Sequence, residues 1–352
     1  MPIRKITLAC IIFVTLLLTG CSGAGAASSW PGINVDGDVA YIAYGTSITA
    51  IRSRDGTMVW RYPEKPDNRR SFYAQPTIVG DQIFIGDYTG HLYAINARNG
   101  TEQWRFEDAN GRFISSPTYT NELIIAASTD HWVYALNTSG QLVWKFETGQ
   151  AIWAKPAANG DLIYIASMDH YLYALDVQTG NEVWKIDIGG AVVSNPVLDS
   201  GSGLLVLSTV GGAVTAIRTE DVSVAWTFQS DGAVWSDPVI TEGKIFIGDL
   251  TNKFYALDLM NGSQIWSIVL SSPVISTSVA IEGGVVVASE DGTIVNLSQN
   301  GDKLWTRTVE GSLYSALVLA DDYLLIPVTR GDVLVYALDL NGNDRWSFLP
   351  PK

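Results

Sequence analysis

Three histidines are the residues of this chain best suited to metal binding or to acid–base chemistry: His91, His131 and His170. His131 and His170 occupy the same place in a repeating pattern that is described below. A zinc site needs ligands that converge within a few ångströms. Equivalent places in successive repeat units lie too far apart for that, so we interpret the histidines as turn residues and predict no metal site.

Acidic turns resemble calcium ligands one at a time. The clearest is Asp36-Gly37-Asp38, but neither this turn nor the other Gly-Asp pairs has the full spacing of a calcium loop. Nor does the sequence contain an obvious nucleophile–base pair. We therefore interpret these turns as ordinary β-hairpin turns. We predict a protein without catalytic residues or a cofactor.

The second cysteine has a different chemistry. Arg4 and Lys5 precede an apolar stretch over residues 6–19, which is too short to span a bilayer comfortably. The stretch ends in Leu-Thr-Gly-Cys21, which resembles the bacterial lipobox. That resemblance implies a lipoprotein signal peptide over residues 1–20, lipidation of Cys21 and attachment to a membrane through the lipid. Residues 21–29 are small and predict a flexible tether. An uncleaved anchor, or an ordinary signal with a chance cysteine, is the alternative.

Tryptophan recurs through the rest of the chain with a spacing of 39 to 44 residues. A glycine stands four residues before the tryptophan in seven of the eight units, and Val222 replaces it in the fifth. An alanine stands nine or ten residues before it in seven units, and Asn296 replaces it in the seventh. The eight residues are Trp60, Trp104, Trp144, Trp184, Trp226, Trp266, Trp305 and Trp346.

Each unit contains four short apolar runs separated by turn residues. In the second unit they cover residues 73–79, 82–86, 91–96 and 102–106. Such runs are typical of antiparallel strands joined by tight hairpins. Four strands per forty residues, repeated eight times, predict an all-β fold over residues 30–352: an eight-bladed β-propeller of four-stranded antiparallel blades. We expect each indole to pack between neighbouring blades. Counted from Trp30 to Phe348, the strands imply closure without exchange of a strand between the termini; the alternative is an offset register in which a strand is exchanged.

The unit Ala174-Leu-Asp-Val-Gln-Thr-Gly-Asn-Glu-Val-Trp184 resembles the PQQ-type propeller repeat. Among small lipoproteins the chain is similar to the outer-membrane assembly family BamB, over about residues 30–348. The resemblance implies a protein partner in the cell envelope. Related dehydrogenases hold a calcium-bound quinone at the propeller centre, often beside a disulfide of adjacent cysteines. This chain has no such cysteine pair.

One place in the repeat is rich in large rings. It lies three residues before the proline of most inner strands, in the connection between successive blades. We predict that these residues form a collar around the mouth of the central channel, or alternatively that they only fill the funnel between inner strands. Around the ring, the eight collar positions are Trp30, Tyr73, Ile114, Trp153, Val193, Trp235, Ile275 and Tyr314.

Polar residues follow the collar positions by two residues, and among them Lys155 and Asp237 lie two blades apart. Aromatic anchors with a few polar groups are typical of a binding surface for a peptide, a protein loop or a small ligand. We therefore include the polar residues Gln75, Lys155, Asn195 and Asp237 with the collar in the candidate binding face.

The net charge of the chain argues against one class of function, nucleic-acid binding. The net charge is −14, and removal of residues 1–20 would make it two charges more negative. Such a surface repels phosphate backbones and argues against nucleic-acid binding. We expect a monomeric, non-catalytic interaction scaffold on the outer membrane, facing the periplasm, or on the outer face of the cytoplasmic membrane if there is no outer membrane. The alternatives are a sensor for a peptide, glycan or small ligand and, third, a quinone-dependent dehydrogenase.

Overall fold

The computed structural model describes residues 29–350, which are all-β. Their 32 strands form eight sheets of four strands each, and this confirms the predicted eight-bladed propeller. The predicted signal peptide, Cys21 and all of the tether except Ser29 lie outside the described residues. Among residues 29–350, no helix has the length and apolar character needed to cross a membrane.

Each blade is one uninterrupted segment of chain whose four strands pair in sequence order. The strands of blades 1 to 4 are β1 Gly32–Asp36, β2 Val39–Tyr44, β3 Ser47–Arg52, β4 Met58–Tyr62, β5 Thr77–Val79, β6 Gln82–Gly86, β7 Leu92–Asn96, β8 Glu102–Phe106, β9 Thr118–Thr120, β10 Leu123–Ala127, β11 Trp132–Asn137, β12 Leu142–Glu147, β13 Ala157–Asn159, β14 Leu162–Ala166, β15 Tyr171–Asp176 and β16 Glu182–Asp187.

The second half of the ring repeats this pattern. The strands of blades 5 to 8 are β17 Val197–Asp199, β18 Leu204–Ser208, β19 Ala213–Arg218, β20 Ser223–Gln229, β21 Val239–Thr241, β22 Lys244–Gly248, β23 Lys253–Asp258, β24 Gln264–Val269, β25 Val279–Ile281, β26 Gly284–Ala288, β27 Thr293–Ser298, β28 Lys303–Thr308, β29 Val318–Ala320, β30 Tyr323–Pro327, β31 Val335–Asp339 and β32 Asp344–Phe348.

The innermost strands are shorter than the sequence pattern predicts. In blade 2 the ladder begins at Thr77 rather than at Tyr73, and the third strand begins at Leu92 rather than at His91. Pro76 has no N–H to donate to a ladder. Residues 73–76 therefore lie in the connection between blades, and the first three of them line the central cavity.

The core consists of apolar layers between blades. Eight clusters of buried side chains exist, and each joins one blade to the next. Alternation of side chains along a strand explains this, because successive residues face opposite sides of a sheet. Ile124 packs toward blade 2, whereas Ile125 packs toward blade 4.

The ring closes by packing alone, as the strand count implied. The sheet of blade 8 contains only strands β29 to β32, and that of blade 1 only β1 to β4. One apolar cluster joins them, with Ile42 of blade 1 and Leu325 of blade 8 among its members. Among the described residues, no strand of blade 1 joins the sheet of blade 8, and no strand of blade 8 joins the sheet of blade 1.

Each repeat tryptophan lies against the next blade. Trp144 of blade 3 covers Gly180 of blade 4, and its indole N–H donates to the Val177 carbonyl at 2.7 Å. Five further repeat indoles donate to a main-chain carbonyl of the following blade in the same way: Trp60, Trp104, Trp226, Trp266 and Trp305. The repeat tryptophan therefore holds adjacent blades together, through its packing and its hydrogen bond.

Two of the eight contacts differ. Trp184 faces blade 5, where Val222 takes the left-handed turn position (φ 59°) that a glycine holds elsewhere. Trp346 meets Gly56 of blade 1 across the closure, but its buried indole nitrogen has no hydrogen-bond partner within the described residues. The closing contact thus keeps the packing of the repeat and lacks its hydrogen bond.

Candidate functional site

The collar residues surround one cavity at the mouth of the channel, and its volume is about 250 Å³. All eight predicted collar positions line it, from Trp30 of blade 1 to Tyr314 of blade 8. The turns between second and third strands open on the same face, because Tyr88 of such a turn donates its N–H to Ser71 in the connection that leads to Tyr73. Tyr88 also lines the cavity.

Several collar rings are already packed. Trp30 stacks on Tyr314 with ring centroids 5.5 Å apart, and this pair bridges blades 1 and 8. Tyr73 stacks on Tyr88 at 4.1 Å. An arginine lies over one ring of each stacked pair. The Arg112 guanidinium lies 4.6 Å from the Tyr88 ring centroid. Arg330 lies 5.8 Å from that of Tyr314.

The other two aromatic residues of the collar are free. Trp153 and Trp235 are 38% and 36% exposed. Within the described residues, neither stacks on another ring or lies under a cation. They belong to blades 4 and 6 and flank the small Val193 of blade 5. Exposed, unpartnered indoles at a concave surface are features of a contact site.

The residues two positions after the collar residues of blades 4 to 7 are connected from blade to blade by hydrogen bonds between main chain and side chains. The Lys155 N–H donates to Asn195 Oδ1 at 2.6 Å. Asn195 in turn donates its N–H and its Nδ2 to the Asp237 carboxylate, both at 2.7 Å. Thr277 donates its hydroxyl to Asp237 Oδ2 at 2.9 Å. These contacts fix the Asp237 carboxylate in the lining of the cavity.

The two charged residues of this region perturb each other. Burial raises the pKa of the Asp237 carboxyl, while the hydrogen bonds from Asn195 and Thr277 and the charge of Lys155 oppose the rise. Burial likewise lowers the pKa of the Lys155 ammonium, against the attraction of Asp237. The two groups form no ion pair within 4.0 Å. Asp237 therefore has a nearby countercharge but no direct one.

The predicted binding residues do not all meet. Gln75, Asn195 and Asp237 line the cavity with the collar, whereas Lys155 does not. Tyr88 and Thr277 are among the further residues that line the cavity and were not in the candidate binding face. Both had a signal in the sequence: Tyr88 lies in a turn expected on the collar face, and Thr277 stands at the same repeat place as Asp237.

The histidines lie in turns, as interpreted from the sequence. His131 and His170 take left-handed turn conformations with φ of 77° and 76°. Within residues 29–350, no group of three or more His, Cys, Asp or Glu side chains is placed to hold a metal ion. The Asp36-Gly37-Asp38 segment is the turn between β1 and β2.

The insertion before blade 2 holds the basic pair Arg69 and Arg70. Arg70 packs into the protein, with its guanidinium 5.3 Å and 5.1 Å from the ring centroids of Tyr62 and Tyr93. Arg69 is exposed and pairs with Asp67 at 2.9 Å. Arg70 also lies 3.5 Å from the Asp67 carboxylate, so both arginines pair with Asp67, and neither lines the cavity.

Comparison with known families gives one family model that matches most of the chain. Its description is outer membrane protein assembly factor BamB, and it matches residues 44–149, 129–234 and 230–348. The BamB of Yersinia pestis is 26% identical over 223 residues, which cover 57% of this chain and 56% of that protein. A polyvinylalcohol dehydrogenase of Pseudomonas is 23% identical and covers 87% of this chain and 50% of its own length. The chain therefore spans about half the length of either relative.

A solved structure has the same fold. The crystal structure of BamB from Moraxella catarrhalis matches with a TM-score of 0.73 at 17% identity, over 84% of this chain and 92% of that one. At that identity the likeness establishes the fold alone. The europium-containing methanol dehydrogenase matches as well, with a TM-score of 0.74 at 12% identity, so the fold does not separate assembly factors from enzymes.

Proposed function

The chain belongs to the family described as outer membrane protein assembly factor BamB, and from that premise we propose that it is a non-catalytic scaffold in the assembly of outer-membrane proteins. The family match over residues 44–348 is the observation that carries the proposal. The collar face is its binding surface for a protein partner, and the free indoles Trp153 and Trp235 are the anchors. A single propeller, acting as a monomer, is sufficient for this role.

We further propose that the protein is anchored by a lipid on Cys21 and faces the periplasm. Eight peptide units separate Cys21 from Ser29, and they reach about 28 Å at full extension. Ser29 is buried and accepts a hydrogen bond from the Gly45 N–H at 2.5 Å, directly before the collar residue Trp30. A short tether attached at the collar face would keep that face close to the membrane, where it could contact a partner embedded in the outer membrane.

The test is a deletion of the gene in the bacterium that encodes it. We expect lower amounts of folded outer-membrane β-barrel proteins, which heat-modifiable electrophoretic mobility measures. The wild-type gene should restore them, and the double variant Trp153→Ala/Trp235→Ala should not, although its melting temperature stays near that of the wild type. Normal barrel levels in the deletion strain would overturn the assembly role. Full rescue by the double variant would remove only the collar from the proposal.

A sensor for a peptide, glycan or small ligand is the second candidate, because the free indoles would also suit such a ligand. The two functions differ in the deletion strain, since a sensor leaves barrel assembly intact. Binding of a glycan to the purified propeller, with loss of that binding in Trp153→Ala, would favour the sensor.

A quinone-dependent dehydrogenase fits the cavity less well. Such a cofactor is a large polycarboxylate, and the residues that line the cavity include no Lys or Arg to hold its carboxylates. The volume of about 250 Å³ is also below the roughly 300–1,000 Å³ of ordinary small-molecule sites. The residues present therefore do not fit the cofactor, and we derive no redox step.

A further inference from the structure

The side of the collar that contains the free indoles Trp153 and Trp235 has two features that together favour a cationic ligand. Trp153 and Trp235 line the cavity with indoles that, within the described residues, neither stack on another ring nor lie under a cation, and Asp237 holds a carboxylate in the same cavity lining. An indole face attracts a cation more strongly than any other side-chain ring does. A carboxylate in partly buried surroundings strengthens that preference, because solvent screens it less than on the open surface.

The same face already contains the type of contact that this combination suggests. Arg112 lies over Tyr88 and Arg330 over Tyr314, at 4.6 Å and 5.8 Å from the ring centroids. The chain thus supplies its own cations to the aromatic rings of blades 2 and 8. It supplies none to Trp153 and Trp235 within the described residues.

The cavity also has the size and charge for a side chain. A volume of about 250 Å³ is large enough to admit one long side chain. Asp237 is the single ionisable carboxylate among the lining residues, and no lining residue is basic. The net charge of −14 favours the approach of a basic segment from solution.

We propose that the central cavity, on the side formed by blades 4 to 6, receives a lysine or arginine side chain of the partner protein, held between the indoles of Trp153 and Trp235 and the Asp237 carboxylate. This inference rests on the proposed function, because it names the chemistry by which the scaffold grips its partner. Lys155 acts against the ligand, since its ammonium is attracted to the same carboxylate. Asn195 and Thr277 act as positioning residues that orient Asp237 through the hydrogen bonds described above.

The experiment uses capped pentapeptides Gly-Ser-X-Ser-Gly in which X is arginine, lysine, norleucine or glutamate. Binding to the purified propeller is followed by ¹⁹F NMR of protein labelled with 5-fluorotryptophan, and the Trp153 and Trp235 signals are assigned by single substitution. We expect saturable shifts of those two signals with arginine and lysine, and at least fivefold weaker binding of norleucine and glutamate. Equal binding of the norleucine peptide would overturn the proposal in favour of an apolar pocket.

Substitutions that remove either a negative or a positive charge distinguish an effect of the Asp237 carboxylate from an effect of the net charge of the protein. Asp237→Asn should weaken arginine-peptide binding at least fivefold, whereas Lys155→Met should tighten it. Asp302→Asn is the matched control, because it removes one exposed carboxylate from a turn between third and outer strands, on the opposite face of the disc. Equal losses for Asp237→Asn and Asp302→Asn would show attraction by net charge alone and would end the proposal.

The result is independent of the genetic test. If deletion lowers barrel assembly while the arginine peptide fails to bind, the scaffold stands and the cationic ligand falls. If the peptide binds as described while assembly is normal in the deletion strain, the pocket stands and the assembly role falls.

Discussion

Gly180 lies directly beneath the indole of Trp144. A Cβ at Gly180 would stand 2.5 Å from both Cδ2 and Cε3 of that ring, and the glycine has a φ of 71°. The repeat glycine therefore meets two requirements at once: it turns the last hairpin through the left-handed region and lets the preceding blade approach. The sequence suggests the first requirement, and only the neighbouring blade reveals the second.

Gly180→Ala should consequently destabilise the propeller more than a turn glycine in open space does. We expect a loss of about 3 kcal/mol, from left-handed strain together with displacement of the Trp144 ring. The control is Gly160→Ala, where φ is 59° and nothing lies within 4 Å of the added Cβ. That variant should lose about 1 kcal/mol. Urea unfolding measures both, and equal losses would contradict a packing role for the repeat glycine.

The closing indole should respond differently from the others. Trp305→Phe leaves the Leu340 carbonyl without its 2.8 Å donor, and we expect an additional loss of about 1 kcal/mol from that bond. Trp346→Phe instead removes a buried N–H that has no partner among residues 29–350, which offsets the lost ring area. The prediction is that Trp346→Phe costs less than Trp305→Phe in chemical unfolding. The reverse order would mean that the closure makes the same hydrogen bond as the other contacts.

Substitution of Cys21 tests the proposed anchor. Cys21→Ser removes the thiol that would carry the lipid, so the protein should either move to the soluble envelope fraction or remain unprocessed. Mass spectrometry of the mature N-terminus and membrane fractionation measure this. The neighbouring Ser22→Ala is the control and should leave attachment unchanged. Unaltered mass and membrane attachment in Cys21→Ser would refute lipidation.

Asp237 should contribute a pH dependence of opposite sign to that of an ordinary paired carboxylate. Burial raises its pKa in the folded state above the unfolded value of about 3.9. Between those two values the folded protein binds more protons than the unfolded one, so stability from this group rises as the pH falls. The Lys155 charge and the hydrogen bonds reduce the effect without reversing its sign.

The measurement is the free energy of unfolding of the wild type relative to Asp237→Asn, from pH 7 to pH 4. The wild type should gain relative to the variant as the pH decreases. A relative loss over that range would mean that the hydrogen bonds from Asn195 and Thr277 outweigh burial.

The tryptophan period was enough to predict the class of fold and the number of blades, whereas the way the ring closes was left open until the structure showed it. These features follow from local patterns: alternation along a strand, turn residues between strands, and one indole per unit. The same repeat alignment identified the collar, because equivalent places in identical blades must lie at the same radius. Where the ladders begin was predicted less well, since Pro76 and its counterparts leave the preceding residues outside the inner strands.

The tertiary structure decided which of those residues are available. Trp30 and Tyr314 lie at opposite ends of the sequence and stack only because the ring closes, while Trp153 and Trp235 occupy equivalent places and stack on no other ring within the described residues. The position of Asp237 beside Asn195, and the lack of a partner for the Trp346 indole N–H in the described part of the chain, likewise depend on how neighbouring blades meet. Such contacts are set by side-chain orientation across an interface between blades, which a pattern that repeats along one chain does not encode.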